Sequence, residues 1–338
     1  MIRQGRNTES RRPWLARTAA MAAGAEMVTQ PFGHAMAEEP GQALIAVTLD
    51  LEMSRNFPTR DSVHWDYEKG NLNEETKQYA VEAARRVKAA GGLMHFFAVG
   101  RMLEQENVQW AEEIAEQGHL IGNHTYDHVN VTAQRPEDLQ FRFRRAPWLI
   151  EGQSVSDVIR SNIRLCDLAL QQRLDRKADG FRTPGGFRDG LRNHPHVRDM
   201  LLELGFTWVS SLYPKHPYPD PGQQPTSHVI DAIVQALADA QPFAYPDGLI
   251  EIPMSPISDI GAFRTCQWDL EWFLTVVEHS VQWAIKHNAV YDFPGHPSCL
   301  YVVDPEFRAI DLICRLVADA GDRAKIADLN TIAQQVRP

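Results

Sequence analysis

The sequence predicts an α/β fold built on a parallel sheet or barrel. Two patterns point there. From Ala43 onward, short apolar runs alternate with longer stretches of helical periodicity for about seven turns, as expected of strands joined by crossover helices. Reactive residue types then follow the apolar runs, at Asp50, His124, Arg182 and His296. Carboxyl ends of parallel strands converge on one face, and such folds build their sites there.

Ala43 to Leu49 reads as a buried strand, and Asn73 to Ala90 as a helix capped by Asn73 and stopped by Gly91-Gly92. Leu93 to Val99 is the second strand. A helix from Val108 to Gln117 ends at Gly118, and His119 to Gly122 is the third strand. Pro136 opens a helix expected to end near Pro147, and Ser156 to Gln172 forms another. Asp179 to Arg182 is a short strand, Val197 to Leu204 a helix and Phe206 to Ser211 a strand. Val229 to Ala240 is helical, and Leu249 to Ile252 a strand. Asp269 to Lys286 and Pro305 to Ala320 are helices on either side of a strand from Ala289 to Phe293. Lys325 to Asp328 reads as a last strand before a terminal helix. Tyr213 to Ser227 and Ser255 to Gln267 read as long loops, which on a functional face shape a substrate groove.

Composition narrows the function classes. The chain has 338 residues, 43% hydrophobic and 23% charged, with a formal net charge of −10. That acidity gives no electrostatic basis for nucleic-acid binding. The body has no uncharged apolar run long enough to span a bilayer, so no stable membrane insertion is expected. The first 37 residues differ. Arg11-Arg12 precedes a mild apolar segment, and Ala35-Met36-Ala37 has the small-x-small pattern of a cleavage site. Residues 1–37 are therefore expected to be a twin-arginine signal, and residues 38–338 a single catalytic domain exported to the periplasm or beyond. Cys166, Cys266, Cys299 and Cys314 show no paired spacing, which argues against a thiolate zinc site; disulfides and buried free thiols are both open readings.

The chemistry concentrates in four segments. The most specific is Gly122-Asn123-His124-Thr125-Tyr126-Asp127-His128. Two histidines four apart can face one side of a helical turn and grip one cation. A carboxylate from an earlier strand end, in Asp50-Leu51-Glu52, can complete a three-residue face and leave positions for water and substrate. Phe181-Arg182-Thr183-Pro184-Gly185-Gly186 and Phe293-Pro294-Gly295-His296-Pro297 complete the set.

In this order the four segments resemble the polysaccharide deacetylase family, the NodB-homology group or carbohydrate esterase family four. The likeness in layout runs from about Ala43 to Leu329. The resemblance implies a distorted (β/α)7 barrel and metal-dependent removal of acetyl from N-acetylated amino sugars of a polysaccharide or peptidoglycan. It implies Asp50 as catalytic base, His124 and His128 as ligands, and Arg182 as the partner of the base. Thr125 would line the acetate pocket, the Gly185 N–H would face the oxyanion, and His296 would be the general acid. Three departures stand out. Leu51 replaces the usual metal-binding aspartate, so Glu52 is expected as the third ligand, on the same side of the strand as Asp50. Gly185 stands where members often carry tyrosine. The acid that usually pairs with the histidine is absent from Val209-Ser210-Ser211, which leaves Asp259 or Asp292 for that role.

The implied cofactor is one divalent metal; zinc suits two imidazoles and a carboxylate, and cobalt, nickel or iron suit them too. The partner is a glycan or another acetylated substrate. Two readings compete: a hydrolase of small cyclic amides or of O-acetyl esters, and a non-catalytic glycan-binding relative. Survival of base, ligands, arginine and acid argues against the latter. His95 reads as a satisfied interior histidine. His64, His194, His196, His216 and His228 read as solvent-facing. Trp268, Trp272 and Trp283 read as a helix face turned to the core, whereas Trp65 and Trp208 are candidates for stacking on sugar.

Overall fold

A computed structural model describes residues 41–336. The expected signal segment and its cleavage site lie outside them. Nine strands form one sheet: β1 (Ala43–Leu51), β2 (His95–Ala98), β3 (Leu120–Asn123), β4 (Phe181–Phe187), β5 (Trp208–Leu212), β6 (Phe243–Ala244), β7 (Ile250–Glu251), β8 (Val290–Gly295) and β9 (Ala324–Ile326). Their order is β6-β7-β5-β4-β3-β2-β1-β8, with β9 also on β1, and every pairing is parallel except β6 with β7. The sheet curls into a half-barrel. Between β7 and β8 the Ser255 N–H donates to the Asp292 carbonyl at 3.1 Å, bridging the gap without a regular ladder.

Strand alternation sorts the side chains. Along β1, Ala43, Ile45, Val47 and Leu49 pack outward into the main core, which takes in helices Glu74–Ala89, Leu270–His287 and Arg308–Ala320. Leu44 and Ala46 face inward with Phe97, Trp208, Ile252 and the terminal helix Leu329–Gln335. Full burial of each large apolar side chain contributes roughly 1.5–3 kcal/mol, so this register is strongly held. The inward parity then continues to Thr48, Asp50 and Glu52. The apolar floor thus changes to polar chemistry near the strand ends.

Several elements differ from expectation. The helix from Pro136 breaks into Pro136–Leu139 and Phe141–Arg145, because Gln140 is extended (φ −168°, ψ 147°), and a 3-10 turn, Pro147–Ile150, follows. The expected Ser255–Gln267 loop contains a π-helical turn, Ile260–Thr265. Pro297 opens an unexpected helix, Pro297–Val303. The fourth strand runs on to Phe187 and bulges between Arg182 and Phe187. Trp208 is core, not a sugar platform: it is 3% exposed and its Nε1 donates to Asn330. Trp65 is half-buried and donates to the Phe57 carbonyl. His216 is buried rather than solvent-facing. His95 is fully buried against Phe97 and Trp208, but neither ring nitrogen has a hydrogen-bond partner. The four cysteines are unpaired. Among the described residues no helix is long and apolar enough to cross a membrane.

Candidate active site

The polar layer above the apolar floor is organised by Arg182. This residue is fully buried, and its guanidinium lies 4.2 Å from the Phe97 ring centre. Gly122 makes room for that ring, since a Cβ there would come within 2.7 Å of it. Arg182 Nη1 donates to Asp50 Oδ1 (3.0 Å) and Thr48 Oγ1 (2.9 Å), Nη2 to Asp292 Oδ2 (2.6 Å) and Nε to Ser210 Oγ (3.2 Å). Thr48 donates in turn to Asp292 Oδ1 at 2.7 Å. Asp292, one of two candidates to pair with His296, is thus committed to Arg182. Its burial pushes its pKa up to about 6 against the opposing pull of Arg182 and Thr48. Burial also pushes Asp50 up, but Arg182, His124 and His296 more than reverse it, and Asp50 stays below the ordinary carboxylate range. Asp50 is therefore an ionised carboxylate at the wall of the cavity, as a base must be.

The two histidines are not on a helical turn. They sit in a loop after β3 whose shape needs left-handed backbone at Thr125 (φ 59°) and His128 (φ 59°). Asn123 holds this loop: its Oδ1 accepts from Thr125 N (2.8 Å), and its Nδ2 donates to the Ile163 carbonyl and to Asp167. Asn162 braces it again through Asp127 N. Thr125 does not line the cavity as expected. It is fully buried and its hydroxyl accepts from Val129 N at 2.9 Å, while Thr183 lines the cavity. The His124 Nδ1 faces the Arg182 carbonyl at 3.0 Å, which turns Nε2 toward the cavity. Burial lowers the His124 pKa to about 4, so the ring is neutral, the state that ligates metal.

Glu52, His124 and His128 each present a donor atom, and these atoms lie within 4.8 Å of one another. Glu52 Oε2 is 2.6 Å from His128 Nε2 and 3.9 Å from His124 Nε2, yet it is buried without a well-formed hydrogen bond. An orphaned carboxylate oxygen between two imidazole nitrogens fits a divalent cation. The other oxygen, Oε1, receives Lys69 Nζ at 2.8 Å. Burial pushes Glu52 up, but His128 and Lys69 outweigh it and hold the carboxyl well below its usual range. Sequence reasoning missed Lys69. A backbone bond from Met53 N to the Lys69 carbonyl (2.8 Å) places it beside Glu52, a contact with no linear signature.

The opposite wall carries His296, whose ring Nδ1 is 2.9 Å from Asp259 Oδ1, while Asp259 Oδ2 accepts from the His296 N–H at 2.7 Å. Asp259 is therefore the paired acid. Burial lowers the His296 pKa, but Asp259, with Asp50 and Glu52 behind it, outweighs this and leaves it raised. His296 Nε2 lies 3.8 Å from Asp50 Oδ2 and 3.9 Å from Glu52 Oε1, so the residues expected as acid, base and ligand face one space. The cavity measures about 230 Å³. Gly185 lines it with φ +78° and open space where a side chain would go. A larger hollow of about 660 Å³, floored by Phe143 and Ile150 and rimmed by the exposed Trp148, lies elsewhere and contains none of these groups.

A family model described as polysaccharide deacetylase matches residues 59–208. That segment of the chain is similar to the polysaccharide deacetylase family. The class of that family is hydrolase acting on carbon–nitrogen bonds other than peptide bonds. The matched segment holds His124, His128 and Arg182; Asp50, Glu52, Asp259 and His296 lie outside it, and the fold unites the two sets. The half-barrel resembles a structure described as a polysaccharide deacetylase from Mycobacterium smegmatis (17% identity, TM-score 0.58, covering 89% of this chain and 94% of that one). It also resembles one from Pseudomonas aeruginosa PAO1 (13%, 0.58, 87% and 91%). Puue allantoinase shares the fold at 13% identity and TM-score 0.56, over 88% and 91% of the two chains. No curated protein matches the chain by sequence.

Proposed function

We propose that this protein is a metal-dependent hydrolase of the polysaccharide deacetylase type that removes acetyl groups from N-acetylated amino sugars of a polysaccharide or peptidoglycan. The observation that carries the reading is the convergence of Asp50, Glu52, His124, His128 and His296 on one cavity, with Glu52 Oε2 orphaned between the two ligand histidines. A divalent cation held by Glu52, His124 and His128 would supply Lewis acidity toward the acetamide oxygen and the attacking water. Asp50, kept ionised by Arg182, takes a proton as the water oxygen bonds to the carbonyl carbon. The Gly185 N–H, on the bulge of β4 at the cavity wall, would serve the developing oxyanion. His296, steadied by Asp259, delivers a proton to the nitrogen as the C–N bond breaks, and acetate and the free amine result.

The cavity favours a second reading as well. At about 230 Å³ it falls below the roughly 300 Å³ at the lower end of ligand sites, which suits one sugar ring or a small amide. Acetate release from chito-oligosaccharide and peptidoglycan, set beside ring opening of small cyclic amides by protein of measured metal content, separates the two. Turnover of cyclic amides alone rejects the deacetylase reading, and turnover without metal rejects the mechanism. The arginine pair and small-residue motif of residues 1–37 lead us to read that segment as an export signal. N-terminal sequencing of the extracytoplasmic protein tests this, with a start at Glu38 expected.

A further inference from the structure

The charges around the cavity balance in pairs, with one exception. Asp50 bonds Arg182, Glu52 bonds Lys69 and Asp259 bonds His296. Arg264 also lines the cavity, and among the described residues it has neither an ion-pair nor a hydrogen-bond partner. It is half-buried on the π-helical turn Ile260–Thr265. A wide turn of this kind re-aims a side chain that an α-helix would place elsewhere, and such turns recur at functional sites. The turn is pinned along its length. Asp259 Oδ1 accepts from Ile260 N (2.7 Å), Ser258 Oγ from Gly261 N (3.2 Å) and Tyr213 Oη from Ser258 N (2.6 Å); the Cys266 carbonyl accepts from Gly222 N (2.8 Å). Arg264 thus offers, from a fixed backbone, a planar fork with its charge unspent, the arrangement that recognises a carboxylate. The same turn begins beside Asp259, which holds the histidine that serves the leaving amine.

We infer that Arg264 is a specificity-determining residue that binds a carboxylate on the amine portion of the substrate. The preferred substrate class is then an N-acylated amine bearing a carboxylate, either an acidic amino sugar or an N-acylamino acid. The inference rests on the proposed hydrolase reading for its reaction but not for its binding step. Acetate release is measured on N-acetylmuramic acid and N-acetylglucosamine, which share a ring and differ by a lactyl carboxylate, and on N-acetylamino acids to separate the two sources. The metal-loaded wild type is expected to favour the carboxylated sugar or the amino acid by roughly 10-fold or more in kcat/KM. Arg264→Ala should raise KM for the carboxylated substrate by roughly 10- to 100-fold, the scale of one charge-assisted hydrogen bond. The loss should be at least roughly 10-fold greater on the carboxylated substrate than on the neutral sugar and should fall on KM rather than kcat, and Arg264→Lys should restore part of it. Equal losses on acidic and neutral substrates, or no preference in the wild type, overturn the inference. Calorimetry with muramic acid and glucosamine decides the binding step without turnover. If no substrate is cleaved but muramic acid binds more tightly and only with Arg264 intact, the hydrolase reading fails and this one stands. If both amines bind alike, this one fails by itself.

Discussion

The two walls of the cavity are built by opposite means. The sheet wall draws Asp50, Thr48, Arg182, Ser210 and Asp292 from four strands, β1, β4, β5 and β8, all inward-facing by strand alternation and all joined through one guanidinium. The loop wall draws Asp259, His296 and Arg264 from connections beyond the strand ends, held by capping bonds and a π-helical turn. In the first, chemistry and stability share the same atoms. In the second they are separable, because Asp259 keeps two backbone N–H donors, from Ile260 and His296, when the imidazole is removed. Within the sheet wall, two buried carboxylates fare differently. Asp292 is sealed under Arg182 and drifts up to about 6, while Asp50, on the same arginine but open to the cavity histidines, stays low.

Substitutions on the two walls should therefore fail differently. Arg182→Met strands Asp50 and Asp292 without their counter-charge. It is expected to destabilise the fold by about 3–5 kcal/mol, the usual cost of breaking a buried pair from one side, as read by denaturant unfolding, and to abolish activity with it. An unchanged unfolding midpoint would break the comparison. His296→Ala should leave stability nearly intact while lowering kcat on amides by roughly 10²- to 10³-fold, with KM little changed. The loss should shrink on an aryl acetate, whose leaving group needs no proton; equal losses on both would make His296 a positioning residue. Asp259→Asn is the mildest. Asp259 raises the His296 pKa, so removing its charge lowers that pKa, and the alkaline limb of the kcat profile should move to lower pH. An unmoved limb would mean that His296 is not the group titrating there.

Legibility in the sequence divides along the same line. Asp50, His124 and Arg182 were readable because each follows an apolar run and the strand period sets its facing. Glu52 was expected beside the two histidines from the family resemblance and from its place on the same side of the strand as Asp50. The partner of His296 stayed open between Asp259 and Asp292, since those contacts span 37 and 110 residues and arise from sheet curvature. Histidine spacing suggested a helical turn, but Thr125 and His128 take positive φ, which Asn123 supports from the side. The role expected of Thr125 passes to Thr183 for a similar reason, because the left-handed turn points its hydroxyl at Val129 N. The turn carrying Arg264 has neither a strand nor an α-helical period, so it read as loop.

The central claim is the division of labour across Asp50-Leu51-Glu52, with base first and ligand third. Metal content and acetate-release rate measured together on Asp50→Asn and Glu52→Gln test it most directly. The account predicts that Asp50→Asn retains one equivalent of metal and loses at least about 10²-fold in rate, whereas Glu52→Gln loses the metal. Metal lost from Asp50→Asn and kept by Glu52→Gln would contradict it and reverse the two roles.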